Sequence, residues 1–248
     1  MQRKVAGDGP PGAVRAFADG LLVTFSIPGL ILVFSSAGFG ALALDAGMSL
    51  GNAVLMMGLF FALPAQVVMI DQIARGGSVM GGALAVMLTG VRLLPMVVSI
   101  MPLLADRKPG FLRQAVAVHA VAVTAWIEGI RRLPGLSVER RLDCFLGMGT
   151  GLVTATLAGT AVGYLLAGSV PKLVAAVLLF LTPIYFFLSL LATSRQMGDR
   201  LAVLIGAALG PVFYLLAPGL DLLLTGLVGG TLAHLAGRSW SRLWEDDP

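Results

Sequence analysis

Polar and charged residues fall in short clusters that divide an otherwise apolar chain into eight runs: 17–43, 50–73, 79–104, 112–130, 142–167, 171–193, 200–217 and 219–237. Most are close to the roughly 20 apolar residues needed to cross a hydrocarbon core as a helix. The clusters between them carry turn and breaker residues, as in Arg75-Gly-Gly-Ser78, Asp106-Arg-Lys-Pro-Gly110, Arg131-Arg-Leu-Pro-Gly135, Ser169-Val-Pro171 and Pro218-Gly219. No linker separates a second domain. The pattern predicts an all-α polytopic membrane protein of seven to eight transmembrane helices. Residues 17–237 form the helical domain, and residues 1–16 and 238–248 are cytoplasmic tails. The first tail contains Gly9-Pro10-Pro11-Gly12 and is expected to be flexible, with no cleaved leader ahead of the first run.

Composition supports this class. The chain is 57% hydrophobic and 12% charged, with mean hydropathy +0.92. Soluble domains carry about 25% charged residues, so a water-facing surface of ordinary size cannot be built. The net charge of +4 reflects basic residues at the connections, not a clustered basic face of the kind that grips nucleic acid. The lone cysteine, Cys144, excludes an internal disulfide.

Basic residues also orient the chain. With the N-terminus inside and every run crossing, the inner segments hold Arg3, Lys4, Arg15, Arg75, Arg131, Arg132, Arg140, Arg141, Arg195, Arg200, Arg238 and Arg242. The outer segments hold Arg107, Lys108, Arg113 and Lys172. This 12 to 4 split places both termini on the cytoplasmic side. The Arg107-Lys108 connection fits poorly and leaves room for one segment that folds back.

Several runs contain helix breakers. Pro28, Pro64, Pro95, Pro183 and Pro211 interrupt the first, second, third, sixth and seventh. A proline frees a backbone carbonyl and bends the axis, which lipid tolerates only where the freed groups are buried in protein or line a wet cavity. Discontinuous helices of this kind form the midplane sites of many secondary transporters. Glycines one turn apart, at Gly147/Gly151, Gly159/Gly163, Gly206/Gly210 and Gly226/Gly230, predict close helix packing. Phe60-Phe-Ala-Leu-Pro64 and Leu179-Phe-Leu-Thr-Pro183 hint at a faint internal repeat.

The chemistry on offer is sparse. No phosphate-cradling Gly-x-x-x-x-Gly-Lys motif occurs, so an ATP-driven motor is absent from the chain itself. No metal-ligand spacing surrounds His119 or His234, and no aspartate-rich pair suits a magnesium diphosphate. Neither an enzyme nor a bound cofactor is expected. At membrane depth stand Arg92, Gln66 and His119. A cation at mid-helix costs roughly 2.5–3.5 kcal/mol on insertion scales, so Arg92 requires either a carboxylate on another helix or a solute anion. Its planar fork matches a carboxylate. Gln66 follows Pro64 and can bond to freed backbone or to another helix. His119 is either a packing residue or a proton carrier. Glu128 with Arg131 and Arg132 reads as a local ion pair.

Several segments together resemble one family. Phe25-Ser-Ile-Pro28-Gly29 through Ala37-Gly38-Phe39-Gly40 and Asp45-Ala-Gly47-Met-Ser49, then Phe61-Ala62-Leu-Pro64-Ala65-Gln66, are similar to the AzlC family, the large subunit of branched-chain amino acid exporters. Thr89-Gly90-Val91-Arg92, and Phe145-Leu-Gly147 through Gly163 to the Pro171 break, extend the likeness. Gly90 and Leu93 replace the asparagine and histidine that flank the arginine in the family pattern. The Thr-Asp-Glu-like element of the fourth run has no counterpart in Val118-His119 to Thr124.

The resemblance implies an amino-acid transporter working with a small AzlD-like membrane protein. The expectation is a secondary transporter subunit exporting apolar amino acids across the bacterial inner membrane. Arg92, Gln66, Pro64, Gly90, Pro95, Pro28 and Gly29 are its candidate substrate-binding residues, and His119 its proton-coupling candidate. A channel-like pore and a non-transporting structural subunit are the rival classes.

Overall fold

The computed structural model describes residues 10–74, 76, 78–91, 93–104, 110–193, 197–216 and 224–236. Among them every regular element is helical: α1 (Pro10–Leu21), α2 (Ile27–Asp45), α3 (Leu50–Leu59), α4 (Leu63–Ala74), α5 (Val79–Gly90), α6 (Leu93–Leu104), α7 (Phe111–His119), α8 (Val123–Arg132), α9 (Val138–Leu166), α10 (Lys172–Thr193) and α11 (Met197–Leu216). A last helical stretch, 224–236, contains a π-turn over Thr225–Gly229. The all-α expectation therefore holds for the described residues.

The N-terminal tail needs a correction. α1 begins at Pro10, so residues 10–16 are helical rather than flexible tail. Pro10 and Pro11 occupy the first turn, where a missing N–H removes no intrahelical bond and the fixed φ suits helix entry. A 3-10 turn, Leu22–Phe25, leads into α2, whose Ser26 cap accepts from the Gly29 N–H at 3.3 Å.

Among the described residues, two helical stretches are long and apolar enough to cross a membrane unaided, Ile27–Asp45 and Val138–Ser169. The runs at 50–73, 79–104 and 112–130 are each two short helices. α3 and α4 are separated by Phe60–Ala62, α5 ends at Gly90 before α6 starts at Leu93, and α7 and α8 are separated by Ala120–Ala122. Proline explains only part of this. Pro28, Pro64 and Pro95 lie in the first turns of α2, α4 and α6 and mark real breaks. Pro183 and Pro211 instead sit inside continuous α10 and α11. The proposed repeat weakens accordingly, since Pro64 starts a helix and Pro183 does not.

Glycine builds the central seam. α1 and α2 run parallel to α9 at backbone contact: a Cβ on Gly147 would stand 2.1 Å from the Phe17 carbonyl oxygen, and one on Gly163 would stand 2.0 Å from that of Ala37. Gly20 and Gly40 meet the Cys144 and Thr160 carbonyls just as closely. The pairs Gly147/Gly151 and Gly159/Gly163 thus pack as their spacing predicts. Gly206, Gly210, Gly226 and Gly230 have open space at the same position. Phe39, Phe145, Met148 and Leu152 are fully buried along the seam. At its far end Tyr164 donates to the Met48 carbonyl at 2.7 Å, and Lys172 lies 3.6 Å from Asp45.

Candidate functional site

The three helix breaks meet beside the seam. A cavity of about 270 Å³ is lined by Phe60, Phe61 and Ala62 of the first break, Gly90 and Leu93 of the second, and His119 and Val121 of the third. A smaller one, about 30 Å³, shares Phe61, Ala62 and Leu93 and adds Met57, Pro64, Ala122 and Thr124, with Leu32 of α2 and Thr156 of α9. Even the smaller space exceeds the roughly 10–15 Å³ that one water requires. The walls are overwhelmingly aliphatic and aromatic, so any solute here keeps an apolar side chain in an apolar setting.

The breaks give this cavity a polarity that its side chains lack. α4, α6 and α8 all begin at the cavity, with Leu63, Leu93 and Val123 in its wall. A helix N-terminus carries roughly half a positive charge through its unpaired N–H groups. No side chain caps the N-terminus of α8. An anionic group in the smaller cavity therefore meets three positive helix ends, whereas the larger cavity is lined by Leu59, Gly90 and His119, the last residues of α3, α5 and α7, whose ends carry the opposite partial charge.

Gln66 is fully buried one layer behind the wall. Its Nε2 donates to the Phe60 carbonyl at 2.5 Å and approaches the Met57 sulfur at 3.4 Å. The amide thus satisfies a carbonyl freed at the break, which is the local role its position after Pro64 predicts. Its Oε1 is buried and has no hydrogen-bond partner among the described residues. His119, at the end of α7, donates from Nε2 to the Gly58 carbonyl at 2.9 Å, joining the third break to the first.

The remaining polar contacts fix the helices around the cavity. Trp126 of α8 donates to Ser99 of α6 at 2.8 Å. Arg113 of α7 pairs with Asp143 of α9. Glu128, 1% exposed, pairs with Arg132 at 2.5 Å, so the i,i+4 partner expected from sequence is present.

Set against the sequence expectations, Pro64, Gly90 and His119 line the cavities, and Gln66 contacts their walls. Pro28, Gly29 and Pro95 line neither cavity. Gly29 has a different duty: a Cβ there would stand 2.4 Å from the Thr24 carbonyl oxygen, so the turn into α2 closes only around glycine. Pro95 is exposed in the first turn of α6. Arg92 lies outside the described residues; its neighbours Gly90 and Leu93 are in the wall of the larger cavity. The aromatic pair Phe60-Phe61 and Ala62 fall in motifs quoted from the sequence but were not named there as site residues, and neither were Ala122 and Thr156. Thr156 left a faint signal shared with Thr154, as one of two hydroxyls between Gly151 and Gly159 in an apolar run.

No curated protein and no solved structure matches the chain. The model of the AzlC protein family matches residues 29–170. That interval contains all the lining residues of both cavities and ends before α10. The chain belongs to the AzlC family, a family of membrane proteins associated with branched-chain amino-acid transport and with small partner proteins.

Proposed function

We propose that the chain is the large subunit of a secondary transporter that exports amino acids with apolar side chains across the bacterial inner membrane. It crosses that membrane several times with both termini cytoplasmic, and it acts with a small AzlD-like membrane protein. The observation that carries this reading is the convergence of three helix breaks on two adjoining apolar cavities, the smaller of which is reached by the N-termini of α4, α6 and α8. Apolar walls suit a branched side chain, and the helix ends suit its α-carboxylate. Arg92, between two wall residues in sequence, is the carboxylate anchor: the substrate supplies the counter-ion that a membrane-buried guanidinium requires.

Counterflow of labelled leucine in vesicles holding the chain, with and without the small partner, tests the carrier. A carrier exchanges solute, a scaffold does not, and a pore dissipates the gradient without exchange. Arg92→Ala tests the anchor. Losing a desolvated charge contact costs about 2–5 kcal/mol of binding, which is at least about tenfold in affinity. Stabilisation by leucine in a thermal melt disappears while the unliganded melting point stays, and Arg92→Lys recovers part of the effect. A mutant that melts lower without ligand yet still responds to leucine makes Arg92 a structural residue.

A further inference from the structure

The direction of each helix against α9 shows where the chain enters and leaves the membrane. α1 and α2 run parallel to α9, so the start of α9 lies on the same face as the start of α1. α6 starts at the cavity beside Thr156 and runs back along α9, because Ile100 meets the space at Gly129 that Phe145 also touches. The end of α6 at Leu104 is therefore on the same face as the start of α9. α7 sets out from there: Arg113 pairs with Asp143, near the beginning of α9. It climbs to Ala120, whose Cβ would stand 2.4 Å from one on Gly149. The chain then turns at Ala120–Ala122 in the cavity wall. α8 descends, with Thr124 beside Thr156 and Gly129 beside Phe145, and ends at Arg132.

Both ends of the segment 111–132 thus lie on one face, with the tip between them. The lengths agree. At about 1.5 Å per residue, α7 of 9 residues and α8 of 10 rise only about 14–15 Å each, half of a core about 30 Å thick. Charge agrees independently. A crossing fourth run leaves Arg107, Lys108 and Arg113 on the weakly basic face, whereas a returning one puts them with Arg131, Arg132, Arg140 and Arg141, as the positive-inside rule favours. Met48, at the far end of the seam, and Leu104 lie on opposite faces. Residues 50–104 therefore make one net crossing, and either α3–α4 or α5–α6 also turns back.

The two legs are held very differently. In α8, Thr124, Ala125, Glu128 and Gly129 are buried. In α7 only Ala117 is, while Phe111 and Leu112 are 87% and 75% exposed. The polar ties of α7 are Arg113 to Asp143 and His119 to Gly58.

We propose that residues 111–132 form a re-entrant hairpin from the cytoplasmic face, and that its lightly held leg, α7, is the gate closing the cavity on that face. The gating role rests on the transport reading above; the hairpin does not. Single cysteines in a Cys144→Ala background decide the topology. Gly110, Gly135 and Gly168 are exposed with empty space at the Cβ position, so Gly110→Cys, Gly135→Cys and Gly168→Cys perturb nothing. A membrane-impermeant maleimide is expected to label Gly110→Cys and Gly135→Cys in inverted vesicles only, and Gly168→Cys in right-side-out vesicles only. Labelling of Gly110→Cys from the same side as Gly168→Cys overturns the hairpin. For the gate, Arg113→Cys/Asp143→Cys is joined with a reducible bifunctional methanethiosulfonate. Counterflow of labelled leucine should fall at least tenfold and return on reduction; unchanged counterflow in the joined protein overturns the gate. Absence of counterflow in the unjoined protein as well as wild type refutes leucine transport and leaves the labelling result standing.

Discussion

Two stretches of this protein carry the same glycine spacing with opposite outcomes. In α9, Gly147, Gly151, Gly159 and Gly163 are pressed against the backbone of α1 and α2. In α11 and the stretch 224–236, Gly206, Gly210, Gly226 and Gly230 face open space. The motif permits close approach and does not cause it. What differs is the opposing helix: α1 and α2 present small residues of their own to α9, Gly20, Ser36 and Gly40, so two thin surfaces meet. The family match at residues 29–170 covers most of this tight region and stops before the open one.

The contrast can be tested by adding one carbon at a time. The largest effect is expected for Gly147→Ala and Gly163→Ala, whose new Cβ collides with a carbonyl that no rotamer change can move. Each should cost about 1–3 kcal/mol and lower the thermal midpoint in detergent. Next comes Gln66→Leu, which strands the Phe60 carbonyl in a buried setting and should cost about 1–3 kcal/mol by the same measurement. His119→Ala removes one hydrogen bond to Gly58 at a more exposed site; a loss of about 0.5–1.5 kcal/mol is expected. The smallest effect is at Gly210→Ala and Gly226→Ala. With nothing to strike, these should leave stability unchanged or raise it by up to about 1 kcal/mol, the cost of glycine in a helix. Equal losses at Gly163 and Gly210 would erase the distinction between the two regions.

The class of the fold was plain from hydropathy, because apolar runs of membrane length leave few alternatives. The breaks at Pro64 and Pro95 were legible, since proline cannot donate and its ring excludes the preceding turn. The break at Ala120–Ala122 was not. Its sequence, His119-Ala-Val-Ala-Val123, holds no proline or glycine, and alanine is the strongest helix former of all. Tertiary packing makes this turn, with Ala120 against Gly149 and Val121 and Ala122 buried. Pro183 and Pro211 misled in the opposite sense, as continuous helices absorb a single lost bond with a bend. Of the residues in the cavity walls, Pro64, Gly90 and His119 had been named from sequence because each is an exception within an apolar run. The wall residues Phe61, Ala62 and Ala122 are ordinary residues of such a run, and only their placement brings them to the cavities.

The seam between α1 and α9 has a consequence during synthesis. Phe17 and Gly147, which touch in the finished protein, are 130 residues apart along the chain. At about 5–20 residues per second, α1 and α2 wait roughly 6–26 s for the helix that covers them. Throughout that interval their stripe of Gly20, Ser36 and Gly40 lies open to any other helix leaving the insertion machinery, including the same stripe on a neighbouring nascent chain. A chain arrested after Arg132 never receives its cover, and its first two helices are left as a ready surface for misassembly.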